Sequence, residues 1–302
     1  MYTNKFKKCE KELSKKESSV LNHINKIKIK KNIVPLILPV LFLLTWNYYA
    51  SKIGNNAILP TVEKVLNNFL HAFDNFIGLG SIPLNIGYSI IRVLLGYIIG
   101  AAVAFPLGLL MGYFKPVRNL CENFINLFKP IPSIAWQPLV LGWFGVSSLA
   151  RMLGMTYGPN FAVMDNFKLS MIFLIALGAF FPIWGNILFG VTNVRKVLVE
   201  TAKVLGASQI DIFFHVLIPA AGPAIVNGMR MGLTASWVCL VSSEMLPGSM
   251  CGVGYMITHA YELARMDLVI TGMICIGVIG ALLDGIFRMI MSKRFSWENK
   301  VK

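Results

Sequence analysis

Long unbroken apolar runs alternate with short polar stretches along the 302 residues. The runs are Ile33–Ala50, Leu84–Tyr113, Cys121–Phe144, Leu169–Val191, Ile218–Leu246 and Leu268–Met291. A membrane helix needs about 20 apolar residues, so the pattern predicts an all-α, polytopic membrane helix bundle of about six spans. A barrel would show short alternating strands instead. Between the first two runs, Pro60-Thr61-Val62-Glu63 looks like a helix start, and Val62, Val65, Leu66, Phe69 and Leu70 follow at helical spacing. A short amphipathic surface helix and a plain solvated connector both fit there.

Composition agrees: 56% of the residues are hydrophobic and 14% charged, against about 25% charged in a soluble domain. The net charge of +14 is uneven, because ten lysines lie between Lys5 and Lys31, before the first run. Lysines there hold that end in the cytoplasm and can touch anionic membrane lipid. No groove-reading or aromatic element accompanies them, so nucleic acid is not an expected partner. Lys115, Arg118, Arg195, Lys196 and Lys203 fall on the same side, which predicts cytoplasmic N- and C-termini in a plasma (inner) membrane. The five cysteines show neither paired nor metal-ligand spacing.

The segment between the fourth and fifth runs carries the most specific signal. Val197, Thr201, Val204 and Leu205 share one helical face, and Gly206 can take a left-handed stop. Ser208 and Asp211 have capping-box spacing and start a second helix, with Ile210, Phe213, Phe214 and Leu217 as its apolar stripe. Two spans do not need such stripes to be joined, so the stripe points to a groove on a partner. A DNA-reading helix pair is excluded by context: the unit sits between two spans and holds few basic residues.

Glu200-Thr201-Ala202, three residues, Gly206, nine residues, then Val216-Leu217-Ile218-Pro219 resembles the signature of permease subunits of binding-protein-dependent ABC importers. Thr201 stands where that signature has a first alanine. The resemblance runs from about Leu84 to Trp297. It includes Ser89-Ile90-Ile91-Arg92, Pro130-Ile131-Pro132-Ser133-Ile134-Ala135-Trp136, Ala176-Leu177-Gly178 through Pro182, Glu244-Met245-Leu246 and Gly252-Val253-Gly254-Tyr255. These stretches are nearest the branch serving nitrate, taurine and alkanesulfonates. The resemblance implies a type I importer permease fold, a second permease copy, a cytoplasmic ABC ATPase and an extracytoplasmic substrate-binding protein. It also implies that Glu200, Thr201, Ala202, Gly206, Ala207, Val216, Ile218 and Pro219 form the ATPase-coupling loop. Vitamin precursors are the competing solutes within this machinery, and an ion-coupled secondary transporter is the competitor outside it.

The chain has no Gly-x-x-x-x-Gly-Lys-Ser/Thr phosphate cradle. ATP and magnesium are therefore expected on the partner ATPase, with no cofactor, metal or catalytic residue on this chain. Arg92, Arg230 and Glu244 lie within apolar runs. Charges there either line a path or pair structurally, and both readings stand, with Glu244 as the partner for either arginine. Asp284 and Arg288 are four apart on one helix and can pair. Pro130, Pro132 and Pro138 crowd the third run, which reads as a gate, a cavity wall or a late helix start. Trp136, Trp143, Trp184 and Trp237 read as packing residues rather than a solute stack, and His215 as packed beside the loop stripe.

The expected organisation is a tail over 1–32, a first span over 33–50, an extracytoplasmic segment over 51–83, a permease domain over 84–291 containing the 195–219 loop, and a tail over 292–302. Ser147–Lys168 is an insert relative to the family, read as a loop at the outer mouth or a tolerated surface insertion.

Overall fold

The computed structural model describes residues 37–76, 78–155 and 157–294. The Lys-rich tail, the start of the first span and the end of the C-terminal tail lie outside them. Two compact units divide at Asn67/Asn68. In the first, residues 37–53 form α1 and Val62–Leu70 begin α2, whose last turn belongs to the second unit. The indole of Trp46 donates to the carbonyl of Pro60 at 3.0 Å and closes the connector between them.

The second unit is a helix bundle with no strand among its described residues. Its long helices are α3 (Ile82–Tyr113), α8 (Leu169–Thr192), α11 (Ile218–Glu244) and α13 (Met266–Arg294). Four helices among the described residues are long and apolar enough to cross a membrane, and each overlaps one of these. The expected third span is divided. α4 (Lys115–Phe128) ends before Pro130, a 3-10 turn occupies Ser133–Trp136, and α5 (Gln137–Phe144) restarts with Pro138 in its first turn. The reason is local: proline disfavours helical geometry in the residue before it and cannot donate within a helix.

Between apolar helices in lipid, association rests on close packing rather than on the hydrophobic effect, so small residues mark the seams. α3 meets α8 through Gly96, Gly100, Gly108 and Gly112, which face Ile175, Ala176, Ile187 and Val191. The facing numbers rise together, so the two helices run parallel. α11 runs antiparallel to α8, with Gly178 against Cys239, Gly190 against Ala224 and Gly232 against Ile183. Val93, Ala104, Ile175, Ala179, Ile183 and Leu240 are fully enclosed between them. Trp184 donates to the Met111 sulfur at 3.1 Å, and Trp237 to the Ile276 carbonyl at 3.1 Å, so both pack as read. Trp143 is largely exposed.

The Ser147–Lys168 insert is tied at its base. Leu149 N–H donates to the Phe167 carbonyl and Leu169 N–H to that of Ser147, both at 3.0 Å. Within it are two short helices, α6 (Leu149–Met152) and α7 (Pro159–Asp165). Asp165 accepts from the Ser148 hydroxyl at 2.6 Å and from Lys168 Nζ at 2.9 Å. The Lys168 contact, then the Ser148 contact, holds the Asp165 carboxyl below its usual range.

Candidate functional site

The loop after α8 folds as two helical pieces. α9 (Lys196–Val204) ends where Gly206 and Ala207 N–H donate to the carbonyls of Lys203 and Ala202, both at 3.0 Å. Gly206 has φ +85°, and an added Cβ there would meet nothing within 4 Å. The glycine is required for its backbone angle, not for space. Ser208 and Asp211 form the capping box: Asp211 N–H donates to Ser208 Oγ at 3.2 Å and Ser208 N–H to Asp211 Oδ2 at 3.1 Å. α10 (Gln209–Asp211) then passes through a π-helical segment, Ile212–Leu217, into α11 without a break.

This geometry sorts the apolar residues. Val197, Thr201 and Val204 on α9, and Leu205 just after it, are all exposed. The stripe expected on the second helix is split: Ile210 and Phe214 face out, while Leu217 is buried and Phe213 packs edge-on to Tyr113 at 5.1 Å. The π segment shifts the register of the side chains across it, which a 3.6-residue period does not foresee. Among the coupling-loop candidates, Glu200, Thr201, Gly206 and Pro219 are exposed and Ala202, Ala207, Val216 and Ile218 half-buried. His215, read as packed, is instead 78% exposed and lies 4.0 Å from Asp211. The Tyr113 hydroxyl donates to Gln209 Oε1 at 2.8 Å, tying the loop to the end of α3.

At the opposite end of the bundle, Arg92 and Glu244 pair at 2.7 Å with both side chains fully buried. All five guanidinium donors are used. Nε and Nη2 donate to the Asn166 carbonyl at 3.1 and 2.8 Å, and Nη1 to Glu244 Oε1 and the Cys251 carbonyl at 2.7 Å each. Nη2 also donates to Cys251 Sγ at 3.0 Å. The Ser89 hydroxyl donates to Glu244 and accepts from Val253 N–H at 3.0 Å, and Gly254 N–H donates to Glu244 Oε2 at 2.9 Å. Asn85 Oδ1 accepts from Gly252 N–H at 2.8 Å. Ionic groups are tolerated in such a place only when paired and fully hydrogen-bonded.

Arg230 is held separately. It pairs with Asp284, which also accepts from Arg288 at 2.8 Å. Glu244 thus pairs with Arg92 and not with Arg230. The sequence did not single out Asn85, Asn166 or Cys251. Two of these act through backbone carbonyls, which leave no residue-type signature.

One open cavity, about 410 Å³, is lined by Lys129, Phe181, Pro182, Gly185, Asn186, Phe189 and Met231. A second, about 290 Å³, lies under α9 beside Lys115, Arg118, Lys196, Glu200 and Lys203. Among the described residues no three His, Cys, Asp or Glu side chains are placed to hold a metal.

Residues 104–295 match the family described as binding-protein-dependent transport system inner membrane component. A Methanocaldococcus jannaschii protein whose name assigns it to the ABC transporter permeases, with no solute, is 43% identical over 94% of this chain and all of its own. The nitrate import permease protein of Synechocystis is 30% identical over 87% of this chain and 89% of its own. The taurine transport system permease protein of Escherichia coli is 27% identical over 88% and 89%. Among solved structures, an inward-facing methionine ABC transporter, MetNI, superposes with a TM-score of 0.55 at 16% identity, over 69% of this chain and 94% of that one. That likeness concerns the fold.

Proposed function

The chain belongs to the inner-membrane permeases of binding-protein-dependent ABC importers, in the nitrate, taurine and sulfonate branch, and we propose that it forms the membrane path for a small anion of that kind. It is a multi-pass transport component rather than a catalyst. In this reading a separate ATPase hydrolyses ATP with magnesium, a binding protein delivers the solute, and two copies of this chain enclose the path. The N- and C-termini and the Gly206 loop face the cytoplasm. Residues 84–291 act as the permease domain, with 195–219 as its coupling loop.

One observation carries the coupling assignment. The Gly206 turn holds Val204, Leu205, Ile210 and Phe214 exposed, at 87, 81, 71 and 57%, on a loop anchored from below by Leu217 and Phe213. Exposed apolar side chains on a fixed scaffold fit a groove on a partner. Closure of the ATPase pair would move this loop and bias the permease between two access states.

The test is recovery of the ATPase with the tagged chain from gently solubilised membranes, wild type against Gly206→Val. A β-branched residue is strained at φ +85° and its Cβ would meet no neighbour within 4 Å, so the strain falls on the turn. The ATPase is expected with wild type and lost with the variant. Equal recovery with both, or none with wild type, contradicts the assignment.

A further inference from the structure

The arginines that the sequence offers to an anion are already engaged: Arg92 with Glu244 and three backbone or sulfur acceptors, Arg230 with Asp284. Lys129 is different. It follows the last turn of α4 and precedes Pro130, at the break in the expected third span. Its side chain is exposed and has no ion-pair partner among the described residues. It lines the 410 Å³ cavity together with Pro182, Asn186 and Phe189 from inside α8 and Met231 from inside α11. Both helices are long and apolar enough to span a membrane, so the cavity that Lys129 lines runs along the spanning part of the bundle. A cation at that depth is costly in lipid and is found facing water-filled paths or a counter-charge.

The other wall groups do not supply a counter-charge. Asn186 donates to the Pro182 carbonyl at 2.8 Å and accepts from Asn227 at 3.1 Å, which fixes the amide pair in place. Phe181, Phe189 and Met231 are apolar. The same break holds Trp136, whose Nε1 is the one buried side-chain polar atom without a partner among the described residues, and whose ring packs on Phe128 at 5.8 Å.

We propose that Lys129 is the anion-recognising residue of the solute path, donating charge-assisted hydrogen bonds to a small sulfonate- or nitrate-like oxyanion in the cavity walled by α8 and α11. Where the oxyanion carries an apolar body, as an alkanesulfonate does, Phe181, Phe189 and Met231 take it. This inference rests on the solute class proposed above and names the group that recognises it.

The test uses the complete transporter, permease with its ATPase and binding protein, in proteoliposomes. Uptake of taurine, a short alkanesulfonate and nitrate is measured for wild type, Lys129→Gln and Lys129→Arg. For the anion that wild type carries, Lys129→Gln is expected to lower uptake about tenfold to hundredfold, the weight of one charge-assisted hydrogen bond. Lys129→Arg is expected to restore most of it, and ATPase recovery is expected to equal wild type in both. Unchanged uptake with Lys129→Gln, or an equal loss with Lys129→Arg, overturns the role of Lys129 while leaving the solute class intact. A wild type that carries none of the three anions overturns the solute class, and this proposal with it.

Discussion

Arg92 on α3 and Glu244 at the end of α11, 152 positions apart, meet at 2.7 Å with no exposed side-chain surface on either. They join the start of α3, the end of α11, the turn before α12 (Val253–Glu262) and the Asn166 carbonyl of the insert at one point.

Removing either partner leaves a buried charge uncompensated. Glu244→Ala is expected to destabilise the solubilised protein by about 3–5 kcal/mol. Arg92→Lys keeps the charge but cannot reach all the acceptors that the guanidinium serves, and is expected to fall between wild type and Glu244→Ala. Thermal unfolding in detergent reads both. Wild-type melting of Glu244→Ala would contradict the account.

Gly252 gives an independent probe of the same point. An added Cβ would overlap the Glu244 carboxylate and the Arg92 guanidinium, and φ is +112°. Gly252→Ala is expected to lower the melting temperature, while Gly142→Ala, which would meet nothing within 4 Å, is expected to leave it close to wild type. Similar melting of the two variants would show that the packing around Glu244 yields easily.

The seam between α3 and α8 predicts a size threshold. At Gly108 an added Cβ would stand 2.9 Å from Ile187 Cβ, and at Gly112 2.7 Å from Val191 Cβ. Gly108→Leu is expected to force the helices apart and destabilise by about 1–3 kcal/mol or more, the usual cost of overpacking. Gly277→Leu on α13, where nothing lies within 4 Å, serves as the control. Faster proteolysis of Gly108→Leu than of the control is the expected reading.

Asp165 predicts a pH dependence at the base of the insert. Its carboxyl is held below the usual range by the Lys168 contact, so the folded form binds its proton less readily than the unfolded chain does. The contribution to stability is therefore complete above the ordinary carboxylate pKa. It is lost as pH falls below about 4 and through the lower folded value. The slope of melting temperature against pH in that range should be shallower in Asp165→Asn. An unchanged slope would remove Asp165 from the account.

The Gly206 turn and the Ser208–Asp211 box were legible in the sequence because both are local, set by residues three or four apart. The four long spans were legible for the same kind of reason, from continuous apolar runs. The pairing of Arg92 with Glu244, rather than Arg230 with Glu244, was not, because helix packing and not spacing along the chain decides which charges meet. The glycines of α3 carried a signal, at intervals of four and eight, that shows its purpose only once α8 lies against them. Lys129 was not singled out in the sequence, because only the folded chain brings α8 and α11 around the cavity that it lines. The insert read as a loop at the outer mouth or a tolerated surface insertion, and neither reading foresaw that Asn166 supplies an acceptor to Arg92, so a deletion that preserves the buried pair must keep that residue's backbone in place.

Gln209 to Glu244 is one continuous helical rod of 36 residues, about 54 Å long at helical rise. Its far end is riveted at Glu244, and its near end carries Ile210 and Phe214 in the open. Between those ends it is clasped to α8 at Ala224, Gly232 and Cys239. One unbroken member thus joins the exposed apolar pair beside the Gly206 turn to the buried ion pair at the other end of the bundle.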